Sequence, residues 1–237
     1  MASVEHVRTI FETTKATHGF LKPSGAAVEL ITHPQENPEL VAQIRSEIYG
    51  FKTEPFLYPD VAETVQAFRR EGPVFIWTDD YPERVLTSGL LGNREENLQP
   101  ITLETAVDKM PLLPGLFQRA QHSHAAGIVV IDNNIEELQI AVETARRERF
   151  LPPVQFVWRT NEASEALPWN FPITDLPLIR ITTLSELLDS RIKRTFQGKL
   201  QWIIDFNDTL LDTPRMEQAM HQHFAARLNG HLAHSSE

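Results

Sequence analysis

Between Lys199 and Thr213 the chain reads KLQWIIDFNDTLLDT. Trp202, Ile203 and Ile204 form a short apolar run, and Asp205, Asn207 and Asp208 follow at once. An apolar run that turns abruptly acidic predicts a buried strand ending at its carboxyl tip, and ligands of open α/β sheets sit in the crevice beyond such tips. A carboxylate there can bind Mg²⁺ through oxygen or attack as a nucleophile. Thr209 can donate its hydroxyl to a phosphoryl oxygen. The same residues also suit an Asx-turn or N-cap cluster that closes an ordinary strand. Thr78 ends a second apolar run, VFIWT. A hydroxyl at a strand tip can hydrogen-bond a phosphoryl oxygen without adding charge. Lys109 opens KMPLLPGLFQRA. A lysine among carboxylates would balance their charge and keep an attacking aspartate ionised, whereas alone it reads as a solvated lysine at a helix start. Asp132 follows the run GIVVI and, read alone, is a cap for a helix over 134–147.

The elements that must hold these groups alternate in type. Tyr58-Pro59-Asp60 opens a helix to about Arg70, and Gly72-Pro73 breaks it before a strand at Val74–Trp77. A helix over 81–91, the strand 127–131, the helix 134–147 and strands at 154–158 and 178–181 follow, with residues 93–106 unplaced and 161–177 a Pro-rich loop. TTLSELLDS predicts another helix start, with Thr182 or Thr183 near its cap and Glu186 in its first turn. Residues 1–19 predict an amphipathic helix on Val4, Val7, Ile10 and Phe11, with Gly19 as its stop. A second one runs over 39–48 and ends at Gly50. This N-terminal block is either a small cap over a sheet or a peripheral helical extension. Phe20, Tyr49 and Phe51 suit core packing better than an entrance to a site. After Pro214, Met216, Met220, Phe224 and Leu228 mark a further helix, and its histidines, His221, His223, His231 and His234, read as solvated surface rather than a metal tract.

The 237 residues suffice for a large domain with a small accessory unit. Twenty-two basic against 32 acidic residues, net charge -10 and no basic cluster, argue against a nucleic-acid partner. There is no cysteine, which removes thiolate chemistry. No apolar run suits a bilayer span, and MASVEHVRTIFETT has no signal-like core, so no membrane partner and a cytoplasmic location are expected.

DFNDTLLDT resembles the first motif of haloacid-dehalogenase-like (HAD) hydrolases, Asp-x-Asp-Gly-Thr-(Leu/Val) in its usual form. Asp205 matches the nucleophile and Thr209 the threonine. Asn207 stands where phosphatases of the family carry a second aspartate as general acid/base, and Asp208 replaces the glycine. The stretch into VFIWT resembles the second motif with Thr78, Lys109-Met110-Pro111 the third, and GIVVID with Glu136 the acidic fourth. These motifs come before the nucleophile motif, whereas the family's usual order puts them after it. The resemblance therefore implies a three-layer Rossmann-like α/β core with a central parallel sheet, circularly permuted, plus a small helical cap. Residues 1–54 would be part of the cap, 55–213 the core with its nucleophile strand at 200–205, and 214–237 a helix returning to the cap with a disordered tail. A linker at 190–198 would join the old ends.

The resemblance also implies a mechanism. A Mg²⁺-dependent hydrolase would act on a small phosphomonoester through an aspartyl-phosphate on Asp205. Asp205, Asp132, Glu136 and the backbone carbonyl of Asn207 would hold the ion, and Thr78, Lys109, Asp208 and Thr209 the phosphate. A carboxamide at Asn207 can neither protonate a leaving alkoxide nor deprotonate water, which implies slowed turnover. The alternative is a catalytically impaired HAD-like protein that binds a phosphate ligand or regulates. A non-phosphate use of the nucleophile, such as dehalogenation, has no separate support in the sequence. The central strand would come last in synthesis and complete either its own sheet, in a monomer, or a partner's, in a strand-exchanged homodimer.

Overall fold

The computed structural model describes residues 3–18, 23–31, 34–92, 98–106, 108–160, 178–188, 196 and 198–234. Six strands form one wholly parallel sheet: β1 (Val74–Thr78), β2 (Ile101–Thr105), β3 (Gly127–Asp132), β4 (Val154–Arg159), β5 (Leu178–Ile181) and β6 (Leu200–Asp205). Their order across the sheet is β2-β1-β6-β3-β4-β5, so the last strand of the chain lies in the middle. The four inner strands are buried at every position, as their mostly apolar sequences allow when both faces are covered; Gln201, inside β6, is satisfied by donating its amide to the Leu116 carbonyl at 2.8 Å.

Side-chain alternation along each strand sorts the core into two layers. On one face Val74 and Ile76 of β1, Val129 and Ile131 of β3, and Trp202 and Ile204 of β6 pack against Val61, Val65 and Phe68 of α4 (Val61–Glu71). The Phe68 and Trp202 rings stack with centroids 3.7 Å apart. On the other face Phe75, Trp77, Ile128, Val130, Phe156 and Ile203 meet α6 (Leu113–His122) and α7 (Ile135–Arg147). These are the three layers of an α/β sandwich. Gly72, between α4 and β1, is required by close approach: a Cβ there would lie 1.7 Å from the carbonyl oxygen of Leu200 at the start of β6.

Among the described residues the remaining α-helices are α1 (Val4–His18), α2 (Pro23–Glu29), α3 (Pro38–Tyr49), the short α5 (Pro82–Leu86) and α8 (Thr213–His234). Phe11 of α1 lies edge-on to Phe224 of α8, with centroids 5.8 Å apart, and Lys15 reaches Glu217. The two helices therefore run antiparallel, and their apolar residues continue without a break into the layer under α4. Tyr49 and Phe51 pack partly buried against that core, and Phe20 and Gly19 lie outside the described residues.

The structure departs from the sequence reading at several elements. Residues 101–105 form edge strand β2, whose ITLET is half-buried and carries no continuous apolar run. The helix at 81–91 is shorter, with α5 ending at Leu86 and a 3₁₀ turn at Leu90–Gly92. Leu184–Leu187 is a single 3₁₀ turn, although Thr183 and Glu186 do form a capping box. Pro23–Glu29 is helical because Pro23 occupies a helix start, where its missing N–H costs nothing. The 161–177 loop, most of the 190–198 linker and the last three residues lie outside the described residues. Among the described residues, no helix is long and apolar enough to cross a membrane.

Candidate active site at the carboxyl edge of the sheet

Parallel pairing fixes which residues meet. Trp77 of β1 is level with Asp205 of β6, and Ile131 of β3 is level with Ile204. Thr78, Asp205 and Asp132 thus stand side by side at the tips of three adjacent strands. All three are buried, Asp132 at 0 % and Asp205 at 2 % exposure. Their common partner is Lys109, itself 5 % exposed. Its Nζ donates to Asp205 Oδ1 at 2.5 Å and Asp132 Oδ2 at 3.0 Å, and lies 2.5 Å from Glu137 Oε2. The stem is anchored by its own backbone: Trp77 Nε1 donates to the Lys109 carbonyl at 2.8 Å, and the ammonium lies 4.6 Å from the Trp77 ring centroid.

Burial disfavours each of these charges, and their neighbours decide the outcome. Burial lifts the Asp205 carboxyl to about 6, with Lys109 pulling the other way. Burial, and next the Asp205 charge, raise Asp132 well above the usual carboxylate range. For Lys109 burial works downward, but Asp205, Asp132 and Glu137 together outweigh it and hold the ammonium charged.

The loop after β6 is tied at both sides. Asp208 has φ of 54°, the left-handed conformation that glycine adopts at least cost and that aspartate tolerates. Its N–H donates to Thr213 Oγ1 and its Oδ1 accepts from Thr213 N–H, both at 3.2 Å, which fixes the loop to the start of α8. Burial raises the Asp208 carboxyl. Thr209 is fully buried, its hydroxyl donates to Asn133 Oδ1 at 3.2 Å, and its carbonyl accepts from Arg159 of β4. Asn207 Oδ1 is shielded from solvent and has no hydrogen-bond partner among the described residues.

Above the tips lies a cavity of about 310 Å³. Lys109, Asp205, Asn207 and Asp208 line it, whereas Thr78, Thr209, Asp132 and Glu136 do not. The Thr78 hydroxyl accepts from the Asp80 N–H at 3.2 Å. Asp132 is not a helix cap: Asn134 caps α7, accepting from the N–H groups of Glu136 and Glu137, while Asp132 Oδ1 accepts from Asn134 N–H at 2.8 Å. That register turns the exposed Glu136 away and brings Glu137 to Lys109. An N-cap asparagine two residues before the Glu pair was the sequence signal for this choice. The sequence reading also passed over Asp80 of the β1–α5 turn and Arg84 of α5, an i,i+4 pair at 2.5 Å, and Lys15 and Glu217, which reach the cavity from α1 and α8.

Among histidines, His221 is buried against the Phe11 ring rather than solvated, and burial lowers its pKa. Among the described residues no group of three or more His, Cys, Asp or Glu side chains is arranged to hold a metal ion. The donors at the tips are hard oxygens, and Mg²⁺ takes one or two carboxylates plus water and phosphate oxygens rather than an all-protein cage. Asp205 and Asp132 fit that demand. With all three converging carboxylates ionised, Lys109 would offset one charge and a divalent cation the other two.

No family model matches the sequence, and no curated protein matches it. Among solved structures the chain is similar to a crystal structure of a protein from Burkholderia xenovorans LB400 named as haloacid dehalogenase-like hydrolase, with 17 % identity over 78 % of this chain and 82 % of that chain and a TM-score of 0.49.

Proposed function

We infer that the chain is a Mg²⁺-dependent, HAD-like phosphomonoester hydrolase whose motifs run in circularly permuted order. The observation that carries this reading is the meeting of Asp205, Asp132 and Lys109 at adjoining strand tips, with Asp205 on the cavity wall. Asp205 supplies the nucleophile: its attack on phosphorus would break the P–O bond to the alcohol, which leaves as alkoxide and takes its proton from water because Asn207 has none to give. Water would then hydrolyse the aspartyl-phosphate to inorganic phosphate and free Asp205. Lys109 holds the carboxylates and offers its charge to the phosphoryl oxygens, with Thr78 at the neighbouring tip. Asp205, Asp132 and the Asn207 carbonyl would hold Mg²⁺, with Glu137 taking the place expected for Glu136. The ion when bound supplies charge neutralisation for the phosphoryl group.

Turnover of acetyl phosphate by the full chain tests this, since its leaving group needs little acid assistance. Phosphate release that requires Mg²⁺ and is lost in Asp205→Asn is expected; release that persists in Asp205→Asn rejects the nucleophile. The orphaned carboxamide of Asn207 favours the second reading, a phosphate-binding protein with little turnover. Mg²⁺-dependent phosphate binding without release from acetyl phosphate would select it.

A further inference from the structure

Arg84 on α5 is 4 % exposed and lines the same cavity as Asp205 and Lys109. Its Nη1 donates to Asp80 Oδ2 at 2.5 Å. Its Nε and Nη2 are shielded from solvent and have no acceptor among the described residues. A buried guanidinium that leaves this edge unused is costly, because each unmade hydrogen bond forfeits hydration without recompense. Nε and Nη2 together form one fork of the guanidinium, the edge that matches two carboxylate or phosphate oxygens at once. The backbone is held, since Thr53 Oγ1 donates to the Arg84 carbonyl at 2.7 Å, and the Tyr81 ring centroid lies 4.9 Å from the guanidinium carbon, a face over which the guanidinium can rotate.

The cavity adds a second constraint. Each residue that lines it is charged, amide-bearing or a threonine. Ligand pockets are usually lined mainly by apolar and aromatic side chains. A wall without one leaves only the stems of polar side chains to meet an aryl or alkyl leaving group.

We propose that Arg84 is a substrate-binding residue whose free Nε/Nη2 edge takes a second anionic group, so that the substrate class is a small phosphomonoester bearing a carboxylate or further phosphate on its leaving alcohol. This deepens, and rests on, the phosphoryl-transfer reading above. The guanidinium turns its free edge to the ligand as the group enters. Asp79, Asp208 and Glu217 also line the cavity and would favour a cationic substituent instead; Glu217 is paired with Lys15 at 3.5 Å.

Three non-hydrolysable probes separate these outcomes by calorimetry on the full chain with Mg²⁺: 4-phosphonobutanoate, its carboxamide and 4-aminobutylphosphonate, with inorganic phosphate as reference. The carboxylate should bind about ten-fold more tightly than the carboxamide. Arg84→Lys keeps a cation beside Asp80 but loses the fork, so the preference of acid over amide should fall below about three-fold. Equal binding of acid and amide by the unaltered chain overturns the Arg84 assignment and leaves the phosphoryl reading standing. So does a preference for the amine, or an undiminished preference in Arg84→Lys. Failure of every probe and of phosphate itself to bind removes both.

Discussion

On the proposed phosphoryl-transfer reading, Asn207 is the residue on which the chemistry turns. Its side chain stands in a loop otherwise fixed by Asp208–Thr213 and Thr209–Asn133 hydrogen bonds, so a carboxyl in its place would occupy a held position. Asn207→Asp should raise kcat for an alkyl phosphate by about 10²-fold or more, and much less for acetyl phosphate, which needs little acid help. Phosphate release from the two substrates measures this, and an equal gain on both would reject the acid/base role. The buried carboxylates give a second expectation. In the metal-free protein Asp205 has its pKa raised to about 6, above its ordinary value. A carboxyl raised by folding contributes stability below its unfolded pKa, near 4, and that contribution is lost as pH rises through about 6. Mg²⁺ should therefore raise the melting temperature more at pH 7 than at pH 5. A shift that is equal at both pH values, followed by thermal unfolding, would place the ion elsewhere.

At the scale of elements, the site depends on how closely β6 is inserted. Its start passes under Gly72 and pairs on both sides: Trp202 N–H donates to the Pro73 carbonyl at 3.0 Å and Ala126 N–H to the Lys199 carbonyl at 2.7 Å. Gly72→Ala drives a methyl into the Leu200 carbonyl, backbone that cannot swing aside. The variant should lose at least about 1–3 kcal/mol in urea unfolding, with the site disturbed as β6 slides. Unchanged stability would mean that the α4–β1 turn relaxes independently of β6. The capping of α7 by Asn134 belongs to the same scale. One hydrogen-bonded asparagine sets the rotation of the helix, and so decides that Glu137 and not Glu136 joins Lys109.

At the scale of the molecule, α1 and α8 are the first and last helices and pack antiparallel, so the chain leaves α8 near where α1 begins. Permutation is tolerated where ends lie close and the new break falls in a loop. A variant that joins residue 237 to residue 1 through a short Gly/Ser linker and opens the chain before Lys199 should fold cooperatively and release phosphate as the parent does. A 1–197 fragment, by contrast, lacks the strand between β1 and β3 and should show no cooperative melt by circular dichroism. A native-like transition in that fragment would show that the sheet does not need its middle.

Much of this was written locally. The runs VFIWT, GIVVI and WIID announce buried parallel strands because both faces must be apolar, and their acidic or hydroxyl ends mark one edge of a sheet. Thr78, Asp132 and Asp205 were legible on those grounds, whereas Lys109, which alone reads as a solvated lysine at a helix start, stood out only through the resemblance of its Lys-Met-Pro stretch. β2 was not, because an edge strand is buried on one side only and ITLET shows no continuous apolar run. Neither were Arg84, Glu137, Lys15 and Glu217, whose places depend on helix rotation and on the packing of α1 and α8 over the strand tips. The amino-acid sequence set which groups are chemically able to react; the tertiary structure alone decided which share a cavity, because distance across a sheet is fixed by strand order and register rather than by separation along the chain.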